Sequence, residues 1–180
     1  DQYQAWIGKR SSTNALVTAY QADALTATLD RDDPPYKEGD VIPPGWHLFY
    51  IREVVKLRDT AEDGHPKRGD FLPPIDLPRR MWAGTKATYH KPIHVGENIS
   101  NVTTIESVTP KVGKTGQLVF LKLKNEISGE DGLATTELQD VVYREEAQSG
   151  VAAPEPPPPP GEAVWKRTIH PSSVLLFRYS

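Results

Sequence analysis

The sequence predicts an α+β fold in which a long, curved antiparallel sheet wraps a helix, and three observations carry that prediction. In "GQLVFLKLKNEIS", Val119, Leu121, Leu123 and Ile127 fall on one face while Lys122, Lys124 and Glu126 fall on the other, the period of two of a half-buried strand. Turn-forming "VGKTGQ" and "SGEDG" flank that stretch and join "ENISNVTTIESVT" and "LATTELQDVVYRE" to it as a meander. Upstream, Thr18 and Gln21 stand as a capping box before Ala22, Leu25 and Leu29, which repeat at helical spacing.

Taken in order, the first element is a helix over about 18–30, ended by Pro34 and Pro35, whose rings remove donors and disfavour helical geometry in the residue before them. A loop rich in glycine and proline leads to "PPGWHLFYIREVV", too densely apolar for an exposed face and so a buried segment of helix or strand. Residues 58–80 mix charges, glycines and prolines and read as a long ordered loop or flap. Three or four long strands follow from Lys86. After Glu146, "AQSGVAAPEPPPPPGEA" has no periodicity and ends its proline run in five consecutive rings, an extended linker. Beyond it, "VWKRTIHPSSVLLFRYS" reads as a strand and then a helix opened by Ser172 and Ser173.

The totals exclude several classes. With 21 basic and 24 acidic residues mixed along 180, there is no broad basic footprint for nucleic acid. No apolar run approaches the roughly 20 residues that cross a bilayer. The absence of cysteine removes thiolate ligands and cysteine nucleophiles and fits a reducing compartment. A cytoplasmic location is the expectation, or the mitochondrial matrix in a eukaryote. The histidines at 47, 65, 90, 94 and 170 lack the spacing of metal ligands. "VGKT" has Val108 where a phosphate loop needs its first glycine, so Lys114 belongs to a hairpin turn. "RGD" at Arg68 to Asp70 and the sequons at Asn98 and Asn101 carry meaning only in a secreted chain.

The succession "DLPRRMWAGTKATYHKPIHVGE", "GQLVFLKLKNEIS", "TELQDVVYRE", proline-rich linker and "HPSSVLLFRYS" resembles the N-terminal half of the two-domain MaoC-like acyl-thioester dehydratases. These include mesaconyl-CoA or itaconyl-CoA hydratases and the hydroxyacyl-thioester dehydratases of type 2. The resemblance spans nearly the whole chain and is most specific at "PRRMWAG" and "FRYS". It implies a hotdog fold, the first half of a double hotdog: residues 1–146 a non-catalytic hotdog domain, 147–163 a linker, 164–180 the start of a second, catalytic hotdog. It further implies hydration of an α,β-unsaturated acyl-CoA or acyl-carrier thioester without metal or other cofactor. The catalytic histidine would lie past Ser180, in a companion half of the same or a separate chain, and a free sheet edge would favour a homo-oligomer.

Within the present residues the resemblance leaves no catalytic pair. "LDRDDPPYKEGDVIPPGWH" offers Asp33 and His47, but His47 lies past where the motif puts its histidine, so a solvated helix end and an ordinary loop are expected. Candidate substrate-binding residues are Arg79, Arg80, Met81, Trp82, Gly84 and Tyr89. An arginine there can fork onto a carboxylate or phosphate, and Ala83 and Gly84 let backbone approach a ligand. The plainer reading sets surface arginines beside a core tryptophan and Tyr89 as a packed residue, with at most one of Tyr89 and His90 pointing inward. A second functional class also stands: a non-catalytic hotdog that binds acyl thioesters or serves as a scaffold. The linker favours the enzyme.

Overall fold

The computed structural model describes residues 2–113, 116–146, 155–158 and 161–179. Its frame is one five-stranded sheet of β1 (Arg10–Leu16), β2 (Arg79–Tyr89), β3 (Asn98–Gly113), β4 (Gly116–Gly129) and β5 (Gly132–Arg144), in the order β1-β3-β4-β5-β2. Every pairing is antiparallel. The meander is therefore the three central strands, and the edges are β1 and β2. The alternation in β4 holds: Val119, Leu121, Leu123 and Ile127 are all buried.

The connection from β1 to β2 carries α1 (Ala19–Thr28) and two 3-10 turns, Trp46–Phe49 and Leu57–Asp59. At the start of α1, the Thr18 hydroxyl accepts the Gln21 N–H at 3.3 Å and donates to Gln21 Oε1 at 3.0 Å. Gln21 thus returns to the capping hydroxyl. The helix ends before its prolines act: Asp30 takes a left-handed φ of 53°, and the N–H groups of Asp30 and Arg31 donate to the carbonyls of Ala27 and Thr26. These crossed bonds are a Schellman stop. The apolar "GWHLFY" resolves as a 3-10 turn opened by Gly45, whose φ of 89° only glycine adopts freely. Trp46, His47 and Tyr50 are buried there, but Val54 is fully exposed, so the expected buried segment stops short.

Two apolar clusters occupy the inner face of the sheet. One gathers Ala22, Leu25, Trp46 and Tyr50 against Ile99 and Ile127. The other packs Ile75 and Leu77 from the long loop against Leu121, Val141 and Tyr143. Arg68 fastens that loop, donating to the carbonyls of Ile75 and Leu77 while lying 5.1 Å from the Tyr143 ring. An arginine so engaged is a brace rather than part of an adhesion signal.

The expected turn at Lys114 lies outside the described residues, as does most of the linker; the described linker residues 155–158 and 161–163 are exposed and irregular. After them the expected strand is not formed, and residues 164–170 are irregular. A strand needs a ladder, and this one has no neighbour among the described residues. The short helix α2 (Ser173–Tyr179) does form, with Leu175 N–H donating to Ser172 Oγ at 3.1 Å.

Candidate functional site

Antiparallel partners point to the same side of a sheet, so register alone lays out the inner face as rows. One apolar row crosses Val108, Leu121 and Val141 to Trp82. Between the two clusters the rows turn polar: Ser11, Thr103, Asn125, Glu137 and Ala87 stand side by side across all five strands. Asn101 flanks this row on β3 and Gln139 on β5. A sheet meant only to pack a helix would have no use for amides at its centre.

Three of the side chains are linked in a relay. Asn101 Nδ2 donates to Thr103 Oγ1 at 3.0 Å, and that hydroxyl donates to Asn125 Oδ1 at 2.7 Å. Asn101 is 8% exposed, yet its Oδ1 has no partner among the described residues. Above the row lies a groove of about 1160 Å³, walled on one side by Ile51 to Lys56 and on the other by the 64–72 loop. Asn101, Thr103, Leu123, Asn125 and Gln139 form its floor, and Arg80 lines it farther along.

Glu137 is occupied from outside the sheet. His47 Nε2 lies 3.0 Å from Glu137 Oε1, with the two residues 2% and 5% exposed. His47 also lines a separate pocket of about 280 Å³ with Tyr89, Thr135 and residues of the 41–44 and 90–93 segments. Asp33 does not meet His47: Arg31 Nε holds Asp33 Oδ2 at 2.6 Å. That hydrogen bond holds the Asp33 carboxyl below its usual range. The partner of His47 was missed because it lies 90 residues away. A signal for it existed, since Glu137 shares strand parity with Val141 and Tyr143.

The six candidate binding residues do not converge. Arg80, Trp82 and Tyr89 belong to the inner face, whereas Arg79, Met81 and Gly84 are in register with the outer-face residues Arg144, Val142 and Asp140. Arg80 and Tyr89 are separated by nine residues of strand, about 30 Å. Arg80 lines the large groove and Tyr89 the smaller pocket. Trp82 is no core residue: it is 67% exposed, and its indole donates to Thr85 Oγ1 at 2.9 Å. Gly84 marks a register shift in β2, where the strand bulges. Tyr89 and His90 are both exposed, and His90 Nε2 lies 3.0 Å from Thr136 Oγ1. His94 is engaged with Glu97 at 2.6 Å. Among the described residues no three His, Asp or Glu side chains gather as metal ligands, and no helix is long and apolar enough to cross a membrane.

The strand order, the helix against the inner face and the groove beside it define a hotdog domain of the MaoC-like kind. Residues 45–180 match the family Hydroxyacyl-thioester dehydratase type 2, and the chain belongs to it. It is 36% identical over 181 residues to Mesaconyl-C(4)-CoA hydratase of Chloroflexus aurantiacus, covering 99% of this chain and 64% of the relative. The chain thus spans less than two thirds of that protein's length. In fold it is similar to the ChsH1-ChsH2 complex of Mycobacterium tuberculosis, with TM-score 0.60 at 16% identity over 86% of this chain and 93% of the other. It also resembles the HadBC (3R-hydroxyacyl-ACP dehydratase) complex of the same organism, with TM-score 0.51 at 15% identity over 76% and 96%.

Proposed function

We propose that this chain is the N-terminal part of a hydro-lyase that reversibly hydrates an α,β-unsaturated acyl-CoA thioester of the enoyl-, mesaconyl- or itaconyl-CoA type. Residues 1–146 form the supporting hotdog, 147–163 the linker, and 164–180 the start of the catalytic hotdog. In such a reaction an acid and base pair adds water across the double bond, while oriented donors hold the thioester oxygen as it gains enolate charge. That pair belongs to the companion half. The present half supplies the wall of the acyl site, with Arg80 among its residues.

The groove is the observation that carries this reading. A hotdog whose inner face is left open over about 1160 Å³ has room for a ligand where a packed helix would fill it. The companion half is expected at the β2 edge, where Trp82 and Tyr89 stay exposed. The two mycobacterial hotdogs similar to it are themselves named as complexes. Intact mass and hydration assays test the proposal together. A source protein of about twice hotdog size that hydrates an enoyl-CoA, beside a 180-residue chain that does not, supports it. Turnover by the isolated chain, or a mature protein ending at Ser180, overturns it in favour of a self-sufficient or scaffold hotdog.

A further inference from the structure

The smaller pocket, of about 280 Å³, holds two buried polar groups that the fold itself does not use. Thr135 is 1% exposed, and its hydroxyl makes no hydrogen bond among the described residues. Register sets it on the inner face between Ile127 and Tyr89, and Tyr89, 49% exposed, lines the same pocket. His47, 2% exposed, commits Nε2 to Glu137, while its Nδ1 has no described partner. A buried hydroxyl or ring nitrogen left unpaired costs its full desolvation, so both groups are suited to a partner that enters the pocket.

The rest of the lining sets the class of that partner. Pro43, Pro44 and Pro92, with Ile42 and Ile93, offer apolar surface. Lys91 is spent elsewhere, its ammonium donating to the Asp131 carbonyl, and His90 is engaged with Thr136. The site therefore favours a neutral molecule. A hydroxyl suits both unpaired groups: it donates to a bare Nδ1 or accepts from a protonated one, and it pairs with the Thr135 hydroxyl in either sense. A cavity of about 150 Å³ takes benzene, so this one has room for a single substituted ring.

We propose that this pocket is a second ligand site, separate from the groove, for a small neutral molecule with an apolar ring and one hydroxyl, held by Thr135 and His47. Phenol is its simplest occupant. The site stands whether or not the groove takes an acyl thioester. Thr135 is the residue to change, because its hydroxyl bonds nothing and its replacement leaves the fold's own hydrogen bonds intact.

The test titrates phenol and toluene, which have equal numbers of heavy atoms, into the full-length protein that carries this chain and follows amide chemical shifts by NMR. A purely apolar cavity favours toluene, because phenol gives up its bonds to water on entering it. The expected result is phenol binding at least as tightly as toluene, with the shift changes concentrated at residues 41–47 and 89–93. Thr135→Val keeps the shape of the side chain without the hydroxyl and should swing the ratio of the two Kd values about tenfold towards toluene. The melting temperature of that variant should hold or rise, since an unpaired buried hydroxyl is removed. Tighter binding of toluene by the parent, a ratio unmoved in the variant, shifts centred elsewhere or no binding of either probe overturns the site. A fall in melting temperature would mean that Thr135 bonds within the fold, and overturns it as well. Hydration kinetics enter none of these outcomes, so the hydratase reading is tested apart from them.

Discussion

The His47 and Glu137 pair invites a thermodynamic test because its burial sets the size of the effect. Replacing His47 by leucine leaves a carboxylate that is only 5% exposed with no partner. Removing one member of a buried pair costs about 3–5 kcal/mol, since the group left behind keeps its desolvation penalty and loses its compensation. The adjoining pocket of about 280 Å³ lets some solvent approach, which favours the lower end of that range. For a chain of this size each kcal/mol moves the midpoint by about 2–4 °C, so His47→Leu should lower Tm by about 6–12 °C. The double variant His47→Leu, Glu137→Leu removes both partners and should recover most of the loss, because a buried pair exchanged for apolar groups is often neutral or better. Urea unfolding of the parent, both single variants and the double variant closes the cycle. Single losses under about 1 kcal/mol that simply add in the double variant would refute the coupling and leave the contact as coincidental packing.

Two titrations probe the same cluster from other sides. Burial pushes the Tyr50 phenol up to about 12, and its hydroxyl donates to the Thr18 carbonyl at 2.9 Å. A raised folded value means that its stabilising contribution is complete below the ordinary value of 10.0 and is lost as pH rises from there towards 12. Tyr50→Phe should flatten the stability profile in that window and remove a late-ionising component from the ultraviolet titration, and an unchanged profile would refute the assignment. Asp33 behaves oppositely: its hydrogen bond to Arg31 lowers its pKa, so any contribution is present above the ordinary value and lost as pH falls through the lowered one. Because the pair sits at the surface, the readout is the carboxyl chemical shift rather than stability. Arg31→Ala should move that titration upward, and no movement would show that the ion pair is not populated in solution.

Local rules made part of this molecule legible. Thr18 could be read as a cap because an N-cap needs only residues within one turn. The strand pattern of β4 was legible for the same reason, since parity is a property of the strand itself. Edge strand β1 escaped notice: "RSSTNAL" is mostly polar, and what makes it a strand is its ladder to residues 98–104, far along the chain. The "PRRMWAG" box suggested a set of ligand contacts, and it opens strand β2, which begins at Arg79 and so extends well upstream of Lys86. Its alternation is masked by the bulge before Gly84 and by an edge position that leaves even inner-face Trp82 in solvent. Once pairing splits those residues between two faces, their proximity in sequence ceases to imply a shared site.

The polar row and the histidine pair together explain why the site lay beyond motif reading. Motif reading weighed Asp33 as the acid for His47 and set the pair aside. The fold instead supplies Glu137 from the middle of β5. The same pairing ties the Trp46–Phe49 turn to the sheet, just before the 51–56 segment that walls the groove. His47 therefore acts twice, by holding a wall in place and by occupying the Glu137 carboxyl group of the polar row. Both roles depend on strand register, so a substitution that slips β5 by one residue would turn Glu137 and Gln139 to the outer face and abolish the site without touching any residue that lines it.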